Sequence, residues 1–405
     1  MNIYIQAISS ISPQKTFGQL PFLTEPVVYT GNRLSAIEPN YGAYIDAKSI
    51  RRMSRIIRMG VAAATDCLRV AASGMQVAGS ALSVSGSVLP ASSTVVREGG
   101  SALDEAVSTL GEAGKIKPDA IITGTAFGCL ADTGIFLTRI IEQDEQMLSP
   151  TAFIQSTHNT VGGQIALMLQ CHGYNNTFVH RGFSFESALL DAMLLLEEKD
   201  AGNVLVGSVD EITDVSHAIF TRLGFYKRSP VSNADLFASE SKGTIAGEGA
   251  AFFLLASERS PGSYAKLDAV STLYKPRDTG EIEQHILSFL TEHGIEIKDI
   301  DLVITGNNGD SRGDHIYQQL KQSVFGDSTL IHYKDLCGEY PTSTSFALWL
   351  AANIIKMGEL PASVSGDLLA AFKQDDKRRK GVKRILIYNH YQQIHHSLIL
   401  VSACK

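Results

Sequence analysis

The segment Ile300-Asp-Leu-Val-Ile-Thr-Gly306 echoes an earlier one, Pro118-Asp-Ala-Ile-Ile-Thr-Gly124. Each is a short apolar run entered by an aspartate and closed by Thr-Gly. Runs of this length, bounded by turn residues, read as strands buried on both faces. Outward from the first copy, periodicity predicts helices over 132–143, 160–170 and 185–198, and strands over 175–180, 203–207 and 251–255. Outward from the second, it predicts strands over 264–273, 384–388 and 397–401, and helices over 281–294, 314–325 and 342–356. This alternation predicts an α/β fold with a largely parallel sheet. The similar order on both sides implies an internal duplication. The loop signal Ser260-Pro-Gly262 divides the chain into 1–259 and 260–405.

The N-terminal part opens with a strand over 2–8 and a helix over 49–72. An insertion-like stretch, about 73–114, follows. Residues 73–98 are rich in Ala, Gly, Ser and Val with almost no charge, and periodicity does not fix their structure. A helical pattern returns over 101–112.

The 405 residues are 44% hydrophobic and 19% charged, as in ordinary globular proteins. A net charge of −7 argues against nucleic-acid binding. The one basic run, Lys377-Arg378-Arg379-Lys380, reads as a solvated loop. The five cysteines include no C-x-x-C pair, which fits reduced thiols in a cytoplasm. No signal peptide and no membrane span are expected. Neither is a metal or cofactor: the adjacent His395 and His396 point to opposite faces of a strand and make a poor chelate. Lys242-Gly-Thr-Ile-Ala-Gly-Glu-Gly249 lacks the G-K-[ST] order of a phosphate loop and reads as a tight turn before a strand. Glu248 reads as a buried structural carboxylate.

Several segments, in order, resemble the β-ketoacyl synthases of the thiolase superfamily. Ile121-Ile-Thr-Gly-Thr-Ala-Phe-Gly128 resembles that family's V-G-T-G-x-G strand-turn, and Gly247-Glu-Gly-Ala250 its G-E-G-A strand entry. Ile300 to Gly309 resembles I-D-Y-V-N-A-H-G-T. Val324-Phe-Gly-Asp327, Lys334, Gly338 and the small-residue helix after them resemble V-F-G…K-x-x-x-G-H-x-x-x-A-A-G. The resemblance implies a thiolase-like fold, two duplicated βαβ halves in a layered αβαβα arrangement, and a dimer formed through the strand at about 175–181.

The resemblance also implies a chemistry: a cysteine thiolate at a helix N-terminus, two histidines for the enolate, and a lysine that positions the second histidine. Here the cysteine slot, within Thr177-Phe-Val-His-Arg-Gly-Phe-Ser-Phe-Glu-Ser187, falls at Gly182, give or take one residue. The first histidine slot falls at Asn307 or Asn308, and the second at Glu339. Lys334 is retained, and a Lys334–Glu339 ion pair is the expected replacement. The closing G-F-G-G turn becomes Asn389-His-Tyr-Gln-Gln393, and D-x-x-R before G-E-G-A becomes Ala238 and Ser241. No catalytic residue is therefore expected. Phe127, His158, Phe183, Ser184, Asn308 and Asn389 are expected to line the pocket.

Ser184 with His180 nearby suggests an acyl carrier, but a helix-capping serine is the simpler reading. Cys129 and Cys337, expected near the pocket rim, read as inert thiols. The functional expectation is a non-catalytic subunit similar to a chain-length factor. It would pair with an active ketosynthase, or with itself, and work with an acyl carrier protein in fatty-acid, polyketide or aryl-polyene type biosynthesis. The alternatives are a rewired acyltransferase or condensing enzyme using Ser184 or Cys129, and a homodimeric acyl-binding scaffold.

Overall fold

The computed structural model describes residues 2–18, 22–82, 116–238, 241–361, 363–364, 366 and 381–404. The expected helix over 101–112 and the basic run 377–380 lie outside these residues, as does most of the 73–98 stretch.

Ten strands form one sheet. In chain order they are β1 (Ile3–Ile11), β2 (Ala120–Gly124), β3 (Tyr174–Phe178), β4 (Asn203–Asp210) and β5 (Gly249–Ala256). Then come β6 (Ala265–Tyr274), β7 (Leu302–Thr305), β8 (Leu330–His332), β9 (Arg384–Tyr391) and β10 (His395–Ser402). Their spatial order is β8-β7-β9-β10-β6-β1-β5-β4-β2-β3. Read inward from either edge, each half places its third strand first, then its second, fourth, fifth and first. The two echoing segments, β2 and β7, occupy equivalent places. The halves join where β1 and β6 pair antiparallel, Ile3 opposite Leu267 through Ile5 opposite Ala265.

Helices α1 (Arg55–Leu82), α2 (Leu130–Glu142), α3 (Pro150–Ser156), α4 (Thr160–Leu169), α5 (Ser184–Glu197) and α6 (Asp214–Arg222) lie in the first half. The second half carries α7 (Thr279–Glu292), α8 (His315–Ser323) and α9 (Thr344–Met357). β5 shows how the layers form. Phe252 and Leu254 pack outward in a cluster with Ile56, Val61 and Leu68 of α1. Phe253 and Leu255 pack inward in a cluster with Phe185 and Leu189 of α5 and Phe346 and Leu350 of α9. The period of two sends alternate side chains to opposite faces, and each fully buried Phe or Leu contributes about 1.5–3 kcal/mol. α9 is buried on every side from Thr344 to Ile355, as expected of a helix in a central layer. Ile286 and Phe289 of α7 and Tyr317 and Leu320 of α8 cover the outer face of β7, β9 and β10. The result is the αβαβα arrangement.

Some expectations need correction. The helix over 49–72 is interrupted: a short turn at Ala47–Ile50 is capped by Asp46, and α1 begins afresh at Arg55. α1 also continues through Leu82, so the first part of the 73–98 stretch is helical. β8, α3 and α6 were not anticipated. β8 is too short to show a period, and α6 buries none of its residues.

Candidate functional site

Turns after β3, β7 and β8 converge with the hairpin between β9 and β10. In the first three, the chain leaves the C-terminal end of a strand, where open α/β sheets place their ligand sites.

The elbow after β3 runs through Arg181, which takes a left-handed φ of 52°. Gly182 follows, buried, and α5 starts at Ser184. The Ser184 hydroxyl donates to the Arg181 carbonyl at 2.9 Å and accepts the His180 N–H at 2.8 Å. Its capacity is spent on holding the elbow. The His180 ring lies instead 3.1 Å from the Ser187 hydroxyl, so the two residues do not form a Ser–His pair. Gly182 has no room for a side chain. A Cβ there would lie 2.7 Å from Tyr391 Cβ and 3.0 Å from His395 Cβ.

In the turn after β7 the two asparagines have different partners. Asn307 accepts from the Thr305 hydroxyl at 2.8 Å, on the His332 side. Asn308 donates from Nδ2 to Glu339 Oε2 at 2.6 Å. Asp314 accepts the Asn308 and Gly309 N–H groups at 3.0 and 2.8 Å and fixes the turn. Burial raises the Asp314 carboxyl to about 6 against the lowering effect of those N–H groups.

Lys334 begins a short helical turn after β8 and is fully buried. Its Nζ donates to Glu339 Oε2 at 2.6 Å, so the expected ion pair is present. Glu339 is held by its backbone: its N–H donates to Ile245 at 2.8 Å, and its carbonyl accepts from Gly247 at 2.9 Å. This clamp needs two glycines in contact. A Cβ on Gly247 would lie 2.1 Å from the Cys337 carbonyl, and one on Gly338 would lie 2.6 Å from Gly247 Cα. That is a physical reason for the glycines of both quoted motifs. The other oxygen of Glu339, Oε1, is buried and has no hydrogen-bond partner.

A narrow cavity of about 50 Å³ opens beside Glu339 and Asn308, walled by Phe220, Phe225, Tyr226 and Tyr391. Thr244, His390, Gln392 and Gln393 complete the lining together with Asp310 and Gly313. Ligand pockets for larger molecules run to about 300–1,000 Å³, so this one admits only a small group. Gln392 and Gln393 both take left-handed φ, 54° and 57°. Two consecutive non-glycine residues in that region cost about 1–3 kcal/mol each, a strain held at the cavity rim.

Several expected pocket residues lie elsewhere. Phe127 packs on Phe220, at a ring distance of 5.6 Å, behind the cavity wall. His158 is exposed and stands against Gly128. Phe183 turns away to His395, at 4.7 Å. Asn389 is buried, accepting from the Tyr333 hydroxyl at 3.1 Å and donating to Thr344 at 3.2 Å. Cys129 is buried in the outer core with α1, not at the rim, and burial pushes its thiol well up. Cys337 is likewise buried, with its thiol raised by burial. Glu248, as expected, is buried. It accepts from the Ala36 and Ile212 N–H groups and from Arg55. Among the described residues, no group of His, Cys, Asp and Glu is arranged to hold a metal, and no helix is long and apolar enough to cross a membrane.

Tyr391 was missed, although a signal for it existed. Asn389 is an expected pocket residue, and the residue two positions on in a strand shares its face. Phe220, Phe225 and Tyr226 gave no such signal, because α6 itself was not read.

Comparison with known proteins gives three findings. Residues 128–258 match the family model described as the beta-ketoacyl synthase N-terminal domain. No curated protein matches the chain. Among solved structures, the ishigamide ketosynthase/chain length factor aligns over 100% of this chain and 99% of its own, with 16% identity and a TM-score of 0.70. A beta-ketoacyl synthase from Burkholderia phymatum STM815 aligns over 100% of both chains, with 11% identity and a TM-score of 0.70. The AntDE:AntF structure, a type II PKS acyl-carrier protein in complex with its ketosynthase bound to the hexaketide, aligns over 100% of this chain and 99% of its own. Its identity is 13% and its TM-score 0.64. The fold is thus that of the thiolase-like ketosynthases, as the sequence motifs implied.

Proposed function

We propose that this chain, which has a ketosynthase fold and matches the β-ketoacyl synthase N-terminal domain, is a non-catalytic subunit resembling a chain-length factor. It would pair with an active ketosynthase that receives acyl groups from an acyl carrier protein. The observation that carries this reading is the elbow. The residue placed where the family's nucleophile is expected is Gly182, and Tyr391 and His395 fill the space a side chain would need. A lost nucleophile with an open slot would suggest recent decay. A filled slot suggests that the position now contributes packing.

The site's polarity supports the same reading. Enolate stabilisation needs hydrogen-bond donors or positive charge at the developing oxyanion. Here the lining residue at the expected second histidine slot is Glu339, a carboxylate paired with Lys334. Ser184 and Cys129 offer no replacement: one hydroxyl is spent on the backbone and one thiol is buried.

The partner surface we propose is the β3 edge. β3 ends the sheet, so one side of it is unpaired among the described residues. Beside it, Leu167, Tyr174, Leu190 and Leu194 are exposed at 71%, 44%, 40% and 50%. An open strand edge flanked by apolar side chains is a template for a second chain. The two halves, 1–259 and 260–405, would each give one layered repeat to that assembly.

Co-expression with an intact ketosynthase encoded nearby tests the proposal. Native mass spectrometry is expected to show a mixed dimer. The chain alone, incubated with acyl-carrier thioesters of several lengths, is expected to remain unmodified. A covalent acyl adduct on the isolated chain, or its condensation of substrate unaided, would overturn the reading.

A further inference from the structure

We propose that α6 is a lid on the cavity: it swings as one rigid helix about Thr213 and Gly224 and takes Phe220 off the cavity wall. This goes beyond the subunit reading and does not depend on it.

The closed cavity holds about 50 Å³, well below the roughly 300–1,000 Å³ of pockets for larger molecules. Any larger occupant needs a wall to move. Most of the wall is fixed. Asp314 holds the Asn308 turn through two backbone N–H groups. Glu339 is held by Lys334 and by its own backbone. His390 and Tyr391 lie in the β9–β10 ladder. Phe225 and Tyr226 are pinned to the strand-like segment at Thr244. The Thr244 N–H donates to the Phe225 carbonyl at 3.0 Å, and the Lys227 N–H donates to the Thr244 carbonyl at 2.9 Å.

α6 is held differently. It buries none of its residues, and among the described residues no other helix or strand packs extensively against it. Few buried contacts mark the parts of a fold that open locally at low cost. Its side-chain ties are light. Asp214 pairs with Arg33 at 2.7 Å, but the Asp214 side chain is 98% exposed, and surface pairs of this kind contribute little. The His217 ring stacks on Tyr226 at 5.5 Å, with Nε2 3.3 Å from the Asn32 carbonyl. Phe220 is the tie to the cavity. Its ring lies 5.6 Å from Phe127, 5.9 Å from Phe225 and 5.8 Å from Tyr226. Val215, Ile219 and Leu223, spaced four apart, stay exposed, so the closed position gains α6 little burial beyond Phe220.

Both ends are built to pivot. Ile212, just before the helix, is buried and donates its N–H to Glu248 at 2.9 Å. Thr213 and Ser216 close a capping box, so the helix can move without losing its first turn. At the other end Gly224 takes a left-handed φ of 80°, with open space where a Cβ would stand. Its carbonyl accepts from Arg312 at 2.7 Å, which fixes the pivot while the helix moves.

Hydrogen exchange of the full native chain, read by mass spectrometry, tests the mobility. The amides of α6 are expected to exchange about a hundredfold faster than those of α9. Thiol labelling tests the gating. Thr244 lines the cavity and is 3% exposed; in Thr244→Cys, modification by methyl methanethiosulfonate reports access to it. Phe127 supports Phe220 from behind and is not part of the wall, so Phe127→Ala loosens the lid without itself widening the cavity. Added to Thr244→Cys, it is expected to speed α6 exchange and labelling at 244 by a common factor of about three to ten, with α5 and α9 unchanged. Three results would each overturn the proposal: α6 exchanging as slowly as α9, neither rate responding to Phe127→Ala, or labelling that stays constant while α6 exchange rises. The comparison of α6 with α9 uses the native chain, so it stands whether or not a variant folds. None of these outcomes bears on whether a mixed dimer forms.

Discussion

Tyr391 stands over Gly182. A Cβ on the glycine would lie 2.7 Å from Tyr391 Cβ and 3.1 Å from its Cδ1. The elbow at the start of α5 and the hairpin after β9 are therefore packed as one unit.

A sulfur introduced at Gly182 alone will not make a nucleophile. Gly182→Cys is expected to lower stability by about 1–3 kcal/mol, the range for overpacking a tight site, and to form no acyl adduct. Tyr391→Ala will not relieve the contact, because the nearest atom is the Cβ that alanine keeps. Denaturant melts and intact-protein mass spectrometry check both statements. A stable, acylated Gly182→Cys would refute them.

The Lys334–Glu339 pair predicts strong non-additivity. Lys334→Met or Glu339→Gln alone leaves a charge buried without its partner and is expected to cost about 3–5 kcal/mol. The double variant is expected to be much less destabilised than the sum, because both charges leave together. A double-mutant cycle on urea unfolding gives the coupling energy.

Glu186 predicts a pH dependence. It sits fully buried in the first turn of α5, and burial raises its carboxyl to about 7 from 4.5, outweighing the lowering influence of the nearby Thr344 and Ser397 hydroxyls. Glu211 is raised to about 7 as well, chiefly by burial. Between their unfolded and folded values, the folded state binds more protons than the unfolded one, so stability falls as pH rises. The loss develops from about pH 4.5 to 7 and is complete above the folded value. For Glu186 it amounts to at most roughly 3 kcal/mol. Glu186→Gln is expected to flatten this part of the profile. Unfolding midpoints at pH 5 and pH 8 decide the matter, and an unchanged slope in the variant would contradict it.

The β3 edge predicts an association defect. Leu190 and Leu194 are one helical turn apart on the exposed face of α5. Leu190→Asp/Leu194→Asp is expected to leave the melting temperature of the isolated chain within a few degrees, since exposed substitutions typically change stability by about 0.5 kcal/mol or less. The same variant should abolish the mixed dimer in sedimentation velocity. Undiminished association would place the interface elsewhere.

The sequence alone placed the duplicated halves and most of their strands and helices, but not the strand directions: the sheet is mixed, with four parallel and five antiparallel pairings, where the alternation predicts a largely parallel one. The echo between 118–124 and 300–306 placed two equivalent strands, because a short apolar run closed by Thr-Gly has few alternatives to a buried strand ending in a turn. The same motifs led to Lys334, Glu339 and Gly182 without any coordinates. Tertiary structure decided what those residues do. Linear spacing could not say which of Asn307 and Asn308 faces Glu339, because the turn after β7 follows no regular period. Nor could it place Tyr391 against Gly182, two residues more than two hundred positions apart, brought together by the packing of one half of the sheet on the other. Periodicity reports which face of an element is buried. It carries no information on which buried face meets which, and in this protein that choice filled the space beside Gly182 and left one Glu339 oxygen without a partner.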